Sequence, residues 1–281
     1  MPILIATLIV GAVGLVVGVL LMGASERFSV EEDPREVAIR ALLPGANCGG
    51  CGFPGCDGLA AAIAHGESPV NGCPVGGQAV ADQIAQVMGV DAEASERKVA
   101  FVKCSGVCGV SKDKCNYYGI RDCRSAAVVP GKGYKKCAYA CCGFGTCVKA
   151  CQFDAIHVVN GVAVVDREKC VACGACVKAC PYHLIEMVPY KSQFHVQCSS
   201  HDPGRLVRAA CSAGCIGCTL CVQQCPRDAI EMNESLAHIN YDKCVNCGLC
   251  AAKCPAKVIR KVGPEPAPAA VPVEAPAAQA E

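Results

Sequence analysis

The chain has 281 residues and a formal net charge of +1, yet 27 of its residues are cysteine, far more than an ordinary globular core uses. It has no tryptophan, 7 tyrosines, 6 phenylalanines and 29 glycines, which excludes large aromatic anchors as the main source of core stability. An odd number of cysteines excludes a fully paired disulfide scaffold.

The small net charge conceals segregation. Residues 26–96 sum to −8, 97–150 to +9, 151–262 to +3 and the tail to −3. Net charge alone specifies no partner, and no nucleic-acid partner is expected.

In chain order, the first predicted element is a helix. Residues 1–25 contain no charged side chain, and Ile3 to Met22 is an unbroken, mostly apolar run, long enough at 1.5 Å per residue to cross about 30 Å of hydrocarbon. A transmembrane anchor over 1–25 is expected rather than a cleaved signal peptide, because no Lys or Arg precedes the run. Arg27, Arg35 and Arg40 follow it, which places the bulk of the chain on the cytoplasmic side of the cell membrane. Gly14 and Gly18 form a GxxxG pair that would admit another membrane helix.

A four-cysteine module is expected over 33–92. Pro34 opens a short helix to Leu43, with Val37 and Leu43 on one face. It leads into Leu43-Pro44-Gly45-Ala46-Asn47-Cys48-Gly49-Gly50-Cys51-Gly52-Phe53-Pro54-Gly55-Cys56, closed by Cys73-Pro74. Glycine and proline there forbid a regular helix and let backbone amides approach a ligand. Short helices are read at Gly58 to His65 and Gln78 to Met88. Residues 97–130 read as a basic linker segment.

Beyond Cys137 the chain repeats. Adding 74 to Cys151, Cys170, Cys173, Cys176 and Cys180 gives Cys225, Cys244, Cys247, Cys250 and Cys254, and Asp154-Ala155-Ile156 becomes Asp228-Ala229-Ile230. Two tandem units are expected over 131–190 and 206–262, with a disordered proline- and alanine-rich tail over 263–281.

The spacing CxxCxxCxxxCP occurs three times, at Cys170, Cys173, Cys176 and Cys180, at Cys215, Cys218, Cys221 and Cys225, and at Cys244, Cys247, Cys250 and Cys254. Three close thiolates suit three corners of a [4Fe–4S] cubane, while the fourth leads away to a neighbouring cluster. Zinc would need two separated pairs around one ion and would leave the third close thiolate unused. Crossover then groups Cys215, Cys218 and Cys221 with Cys254, Cys244, Cys247 and Cys250 with Cys225, and Cys170, Cys173 and Cys176 with Cys151. The remaining set, Cys137, Cys141 and Cys147 with Cys180, has stretched spacing, and Cys142 could substitute for Cys141. With Cys48, Cys51, Cys56 and Cys73, five clusters are expected on twenty cysteines. A sixth set at Cys104, Cys108, Cys115 and Cys123 stays open beside a reading of these as buried thiols, and Cys198 and Cys211 are expected to be structural.

The fold class is therefore small α+β iron–sulfur modules: an N-terminal transmembrane helix, a 4Fe-4S module and two tandem two-cluster ferredoxin-like units. The six histidines are scattered, and no nucleotide, flavin or nucleophile motif is present, so no catalytic residue is expected. Lys132, Lys135 and Lys136 are expected to dock an acidic electron donor.

Taken together, the apolar N-terminus, the Leu43 to Cys56 loop with Cys73-Pro74, and the ferredoxin-type blocks resemble the B subunits of Rnf complexes, the ion-translocating ferredoxin:NAD oxidoreductases. That resemblance implies an iron–sulfur subunit of a translocase. It would receive electrons from reduced ferredoxin and pass them to other Rnf subunits carrying flavins, the NAD site and the ion path. A membrane-tethered polyferredoxin serving another redox enzyme is the alternative.

Overall fold

The computed structural model describes residues 2–27, 33–94 and 96–262; the expected tail over 263–281 lies outside them. Helix α1 (Pro2–Arg27) is 26 residues long, about 39 Å at 1.5 Å per residue. Its side chains between 11 and 24 are exposed, Leu15, Leu20 and Met22 among them. Among the described residues no helix is long and apolar enough to cross a membrane.

The N-terminal module is three short helices around one cysteine loop. In α2 (Pro34–Leu42), Asp33 caps the N-terminus by accepting a hydrogen bond from the Arg35 amide at 2.8 Å, and Pro34 opens the first turn. Ile39 and Leu43 are buried, but Val37 is 52% exposed. Six residues at 100° each put Val37 and Leu43 on different faces, so the expected pairing of those two side chains fails. Helices α3 (Cys56–Ala64) and α4 (Gly77–Met88) complete the core through Leu59, Ile63 and Ile84.

After this module come β1 (Lys98–Val102), α5 (Cys123–Ala127), α6 (Thr146–Lys149), β2 (Ile156–Val159), β3 (Val162–Val165), α7 (Ala175–Ala179) and β4 (Ile185–Pro189). A second series follows: β5 (Phe194–Val196), α8 (Gly204–Ala210), α9 (Leu220–Gln223), β6 (Ile230–Asn233), β7 (Leu236–Ile239), α10 (Leu249–Lys253) and β8 (Ile259–Lys261). The named strands pair antiparallel: β2 with β3, β6 with β7, β1 with β4 and β5 with β8.

The last two pairings redraw the expected boundaries. Residues 97–130 are not a linker, because β1 runs alongside β4 with Val102 opposite Ile185. Likewise β5 completes the second unit, with Val196 opposite Ile259. The two units are therefore closed hairpin sandwiches in which the outer strand arrives from a distant part of the chain. Their cores hold small aliphatic residues together with thiols: Cys141, Cys147 and Cys170 lie in the first, Cys198, Cys221 and Cys250 in the second. In cores so rich in thiols, cofactor binding would contribute directly to the folding free energy.

Candidate iron–sulfur sites

No cysteine is in a disulfide. Among the described residues no three His, Cys, Asp or Glu side chains are placed to hold a single metal ion. The thiols instead line pockets, and a repeated backbone turn places them there. Four loops each carry two left-handed residues flanking one position: Ala172 (φ 58°) and Gly174 (φ 74°), Gly217 (φ 68°) and Thr219 (φ 61°), Asn246 (φ 56°) and Gly248 (φ 76°), and Gly143 (φ 70°) and Gly145 (φ 75°). Alanine and threonine reach this region only with strain, so the turn is imposed by what the loop surrounds. In the first three loops the flanked residue is cysteine. In the fourth it is Phe144, so this loop lacks its middle thiol.

The structure supplies a replacement. One pocket is lined by Cys123, Cys141, Cys142, Cys147 and Cys180. Asp122 caps α5 through the amides of Arg124 and Ser125 and accepts a 2.7 Å bond from the Thr146 hydroxyl; the Cys123 amide donates to the same Thr146 oxygen at 2.9 Å. Cys123 is thereby fastened beside the turn that bears Cys147. Hydrogen bonding from Thr146, first of all, holds the Asp122 carboxyl below its usual range. Cys142 donates to the Tyr182 hydroxyl at 3.1 Å.

Cys137 is not in this pocket. It lines another with Cys104, Cys198 and Cys211. The expected set of Cys137, Cys141, Cys147 and Cys180 is thus regrouped, and Cys104, Cys108, Cys115 and Cys123 are not brought together. Cys108 and Cys115 instead border an open groove with Cys142. Extending the 74-residue offset backward gives the sequence signal that was missed: Cys215, Cys218 and Cys221 map onto Cys141, Phe144 and Cys147.

Of the other expected groups three are brought together, and of the N-terminal group Cys51, Cys56 and Cys73 are. Cys215, Cys218, Cys221 and Cys254 line one pocket. Cys176 interacts with Cys170, Cys173 and Cys151, Cys250 with Cys244, Cys247 and Cys225, and Cys73 with Cys56 and Cys51. In the N-terminal loop that also carries Cys48, the Asn47 side chain accepts from the Cys56 amide at 2.8 Å. Burial pushes the thiols up, Cys147 to about 12 and Cys141, Cys176 and Cys221 to about 11. Iron reverses this by its own charge, so loading releases protons. Backbone amides point at sulfur in equivalent places: Ala155 to Cys151 at 3.5 Å and Ala229 to Cys225 at 3.3 Å, with Gly76 to Cys73 at 3.3 Å.

The N-terminal loop abuts the first unit at Gly50, where a Cβ would stand 2.7 Å from the Cys173 carbonyl oxygen. Gly50→Ala is expected to weaken that seating by about 1–3 kcal/mol, read as faster amide exchange over 47–55 with undiminished iron. Unchanged exchange would show that the contact does not hold the modules together.

Such thiolate sets, strung along one chain, define a multi-cluster protein of the ferredoxin type. Family models agree: residues 43–75 match a putative Fe-S cluster family, 163–186 a 4Fe-4S binding domain and 214–258 a 4Fe-4S dicluster domain. The chain is 45% identical over 242 residues to the B subunit of the Na⁺-translocating ferredoxin:NAD⁺ oxidoreductase complex of Acetobacterium woodii, covering 86% of this chain and 72% of that one. It is 42% identical over 236 residues to the B subunit of the ion-translocating oxidoreductase complex of Methanosarcina acetivorans, covering 84% and 89%. A third relative, the B subunit of the proton-translocating ferredoxin:NAD⁺ oxidoreductase complex of Clostridium ljungdahlii, is 42% identical over 204 residues, covering 72% of each chain. The chain belongs to the family formed by the B subunits of ion-translocating ferredoxin:NAD⁺ oxidoreductase complexes.

Proposed function

We propose that this chain is the iron–sulfur conductor of such a complex, taking electrons from reduced ferredoxin and relaying them to partner subunits. Bound [4Fe–4S] clusters supply one-electron redox chemistry. The chain's own residues hold iron through thiolates, exclude water with small apolar side chains, and tune potential through the amides directed at sulfur. The observation that supports this best is the fourfold recurrence of one left-handed turn around cysteine sets. Cys48, Cys51, Cys56 and Cys73 hold one cluster, Cys151, Cys170, Cys173 and Cys176 a second, and Cys123, Cys141, Cys147 and Cys180 a third. In the second unit, Cys215, Cys218, Cys221 and Cys254 hold a fourth, and Cys225, Cys244, Cys247 and Cys250 a fifth.

Helix α1 anchors the chain in the membrane as a single pass, with the modules on the cytoplasmic side. The uncharged, mostly apolar run from Ile3 to Met22 supports this. Donor docking falls to Lys132 and Lys136, which are exposed; Lys135, expected to share that task, is 1% exposed and cannot. Anaerobic purification with iron, acid-labile sulfide and an electron paramagnetic resonance titration tests the conductor reading. Several reduced-cluster signals appearing on addition of reduced ferredoxin are expected. A colourless protein carrying zinc and no sulfide would overturn it, and a chain lacking residues 2–27 that still sediments with membranes would overturn the anchor.

A further inference from the structure

The geometry points to a sixth [4Fe–4S] site, held by Cys104, Cys137, Cys198 and Cys211 where the two units meet, that carries electrons from one unit to the other. It rests on the conductor reading above and adds the link that this reading lacks.

These four thiols line one pocket, and the two units contribute them in matched pairs. Cys137 and Cys211 differ by the repeat offset of 74, and each lies four residues before the first cysteine of a cluster loop, Cys141 or Cys215. Cys104 and Cys198 each follow an outer strand, β1 or β5, by two residues. Their offset is 94, because the first unit carries 20 extra residues before Cys137.

The hydrogen bonds obey the same symmetry. Cys104 sulfur accepts from the Gly106 amide at 3.4 Å and the Cys141 amide at 3.5 Å, and Cys198 sulfur from Ser200 at 3.5 Å and Cys215 at 3.4 Å. The Tyr139 amide serves Cys137 as the Ala213 amide serves Cys211. Across the seam the Ser105 hydroxyl donates to the Gln197 carbonyl at 3.2 Å, and Ser199 returns a 3.1 Å bond to the Lys103 carbonyl. A pseudo-twofold axis therefore passes between two pairs of thiols, an arrangement suited to a cubane, whose four corners are themselves related in pairs.

Two side chains show what the pocket is built to receive. Among the described residues Ser111 Oγ is the buried side-chain oxygen without a hydrogen-bond partner, and Ser111 lines this pocket. A native protein rarely leaves such a hydroxyl orphaned; a cluster sulfide or thiolate would accept a hydrogen bond from it. Behind the pocket, Lys135 is 1% exposed and donates to the carbonyls of Gly106 at 2.7 Å and Gly161 at 2.9 Å. Among the described residues no carboxylate pairs with it. A buried cation without an anion is costly, and a tetrathiolate cluster bears net negative charge.

The position also gives the site its role. Cys104 accepts from the Cys141 amide and Cys198 from the Cys215 amide, so one residue joins the central pocket to a cluster loop on either side. One electron enters from the cluster of one unit and the same electron leaves to the other; no bond is made or broken and no further reactant is needed.

The test is iron and acid-labile sulfide counted on the anaerobic full-length chain. About 24 of each per chain are expected, against about 20 for five clusters. Cys198→Ala and Cys211→Ala should each lose about four iron, and the double variant about four rather than eight. Cys218→Ala, in an independent site, should also lose about four. Ser111→Ala should retain its iron and lower the midpoint potential of one cluster, a shift that a merely structural serine would not produce. A wild-type count near 20 with Cys198→Ala unchanged would overturn the sixth site alone, whereas absence of iron and sulfide from the wild type would overturn the conductor reading with it.

Discussion

Cys123→Ala is expected to release about four iron atoms per chain, whereas Cys142→Ala is expected to keep them all. The reason is the substitution of Phe144 for the middle thiol of the turn between Cys141 and Cys147. Three remaining cysteines cannot fill four corners, and the pocket draws its fourth from α5. Although Cys142 reaches the same pocket, its thiol is committed to Tyr182. Double substitution separates this grouping from the one that spacing suggests. Cys137→Ala with Cys147→Ala should lose about eight iron atoms, because the two thiols belong to different sites. A loss of only about four would restore the grouping of Cys137 with Cys147. Asp122→Ala offers a milder perturbation: it removes the cap of α5 and its tie to Thr146, and is expected to cost about 1 kcal/mol.

Mild acid is expected to loosen the joint between the units through His195. This side chain is fully buried, stacked on Phe101 of β1 with ring centroids 4.5 Å apart. Its Nε2 donates to the Ser192 carbonyl at 3.0 Å, leaving Nδ1 to accept from the Tyr241 hydroxyl at 3.0 Å, an assignment that follows from the carbonyl having no proton to give. Burial lowers its pKa from 6.5 to about 4; the hydrogen bond to the Ser192 carbonyl opposes it, the Arg167 cation adds a smaller lowering push, and Glu186 a smaller raising one.

The folded protein therefore keeps the ring neutral where an unfolded chain would protonate it. The stabilisation is complete above about pH 6.5 and is lost as pH falls towards about 4, at roughly 1.4 kcal/mol per unit. Anaerobic unfolding at pH 6.5 and 5.5 measures it, and His195→Gln should flatten the difference. An equal pH dependence in the variant would place the acid sensitivity elsewhere.

Much of this was legible in the sequence, for a definable reason. A cubane needs close thiolates on a tight loop, so Cys170 to Cys180, Cys215 to Cys225 and Cys244 to Cys254 announce themselves by spacing. Helices α3 and α4 lie within two residues of their expected starts. The central grouping was not legible because its thiols come from four separate segments. Cys104 and Cys198 are brought in by strand pairing rather than by a local turn, and the different lengths of the two units hide their equivalence. Cys123 has the same problem: the missing thiol at Phe144 signals that a donor must come from outside, but only the capping of α5 decides that Cys108 and Cys115 are not the ones. Lys135 looked like a surface charge because its neighbours Lys132 and Lys136 are; an antiparallel bridge between Asp113 and its backbone turns it inward.

The matched halves around the central pocket carry an implication for how such a chain could arise. A protein possessing a single half would display two thiols on its rim and could complete the set only by meeting a second copy of itself about a twofold axis, as isologous dimers do. Fusing two copies end to end would make that meeting permanent and independent of concentration. Each half would then be free to diverge, one exchanging a corner thiol for phenylalanine after recruiting a substitute from newly inserted sequence.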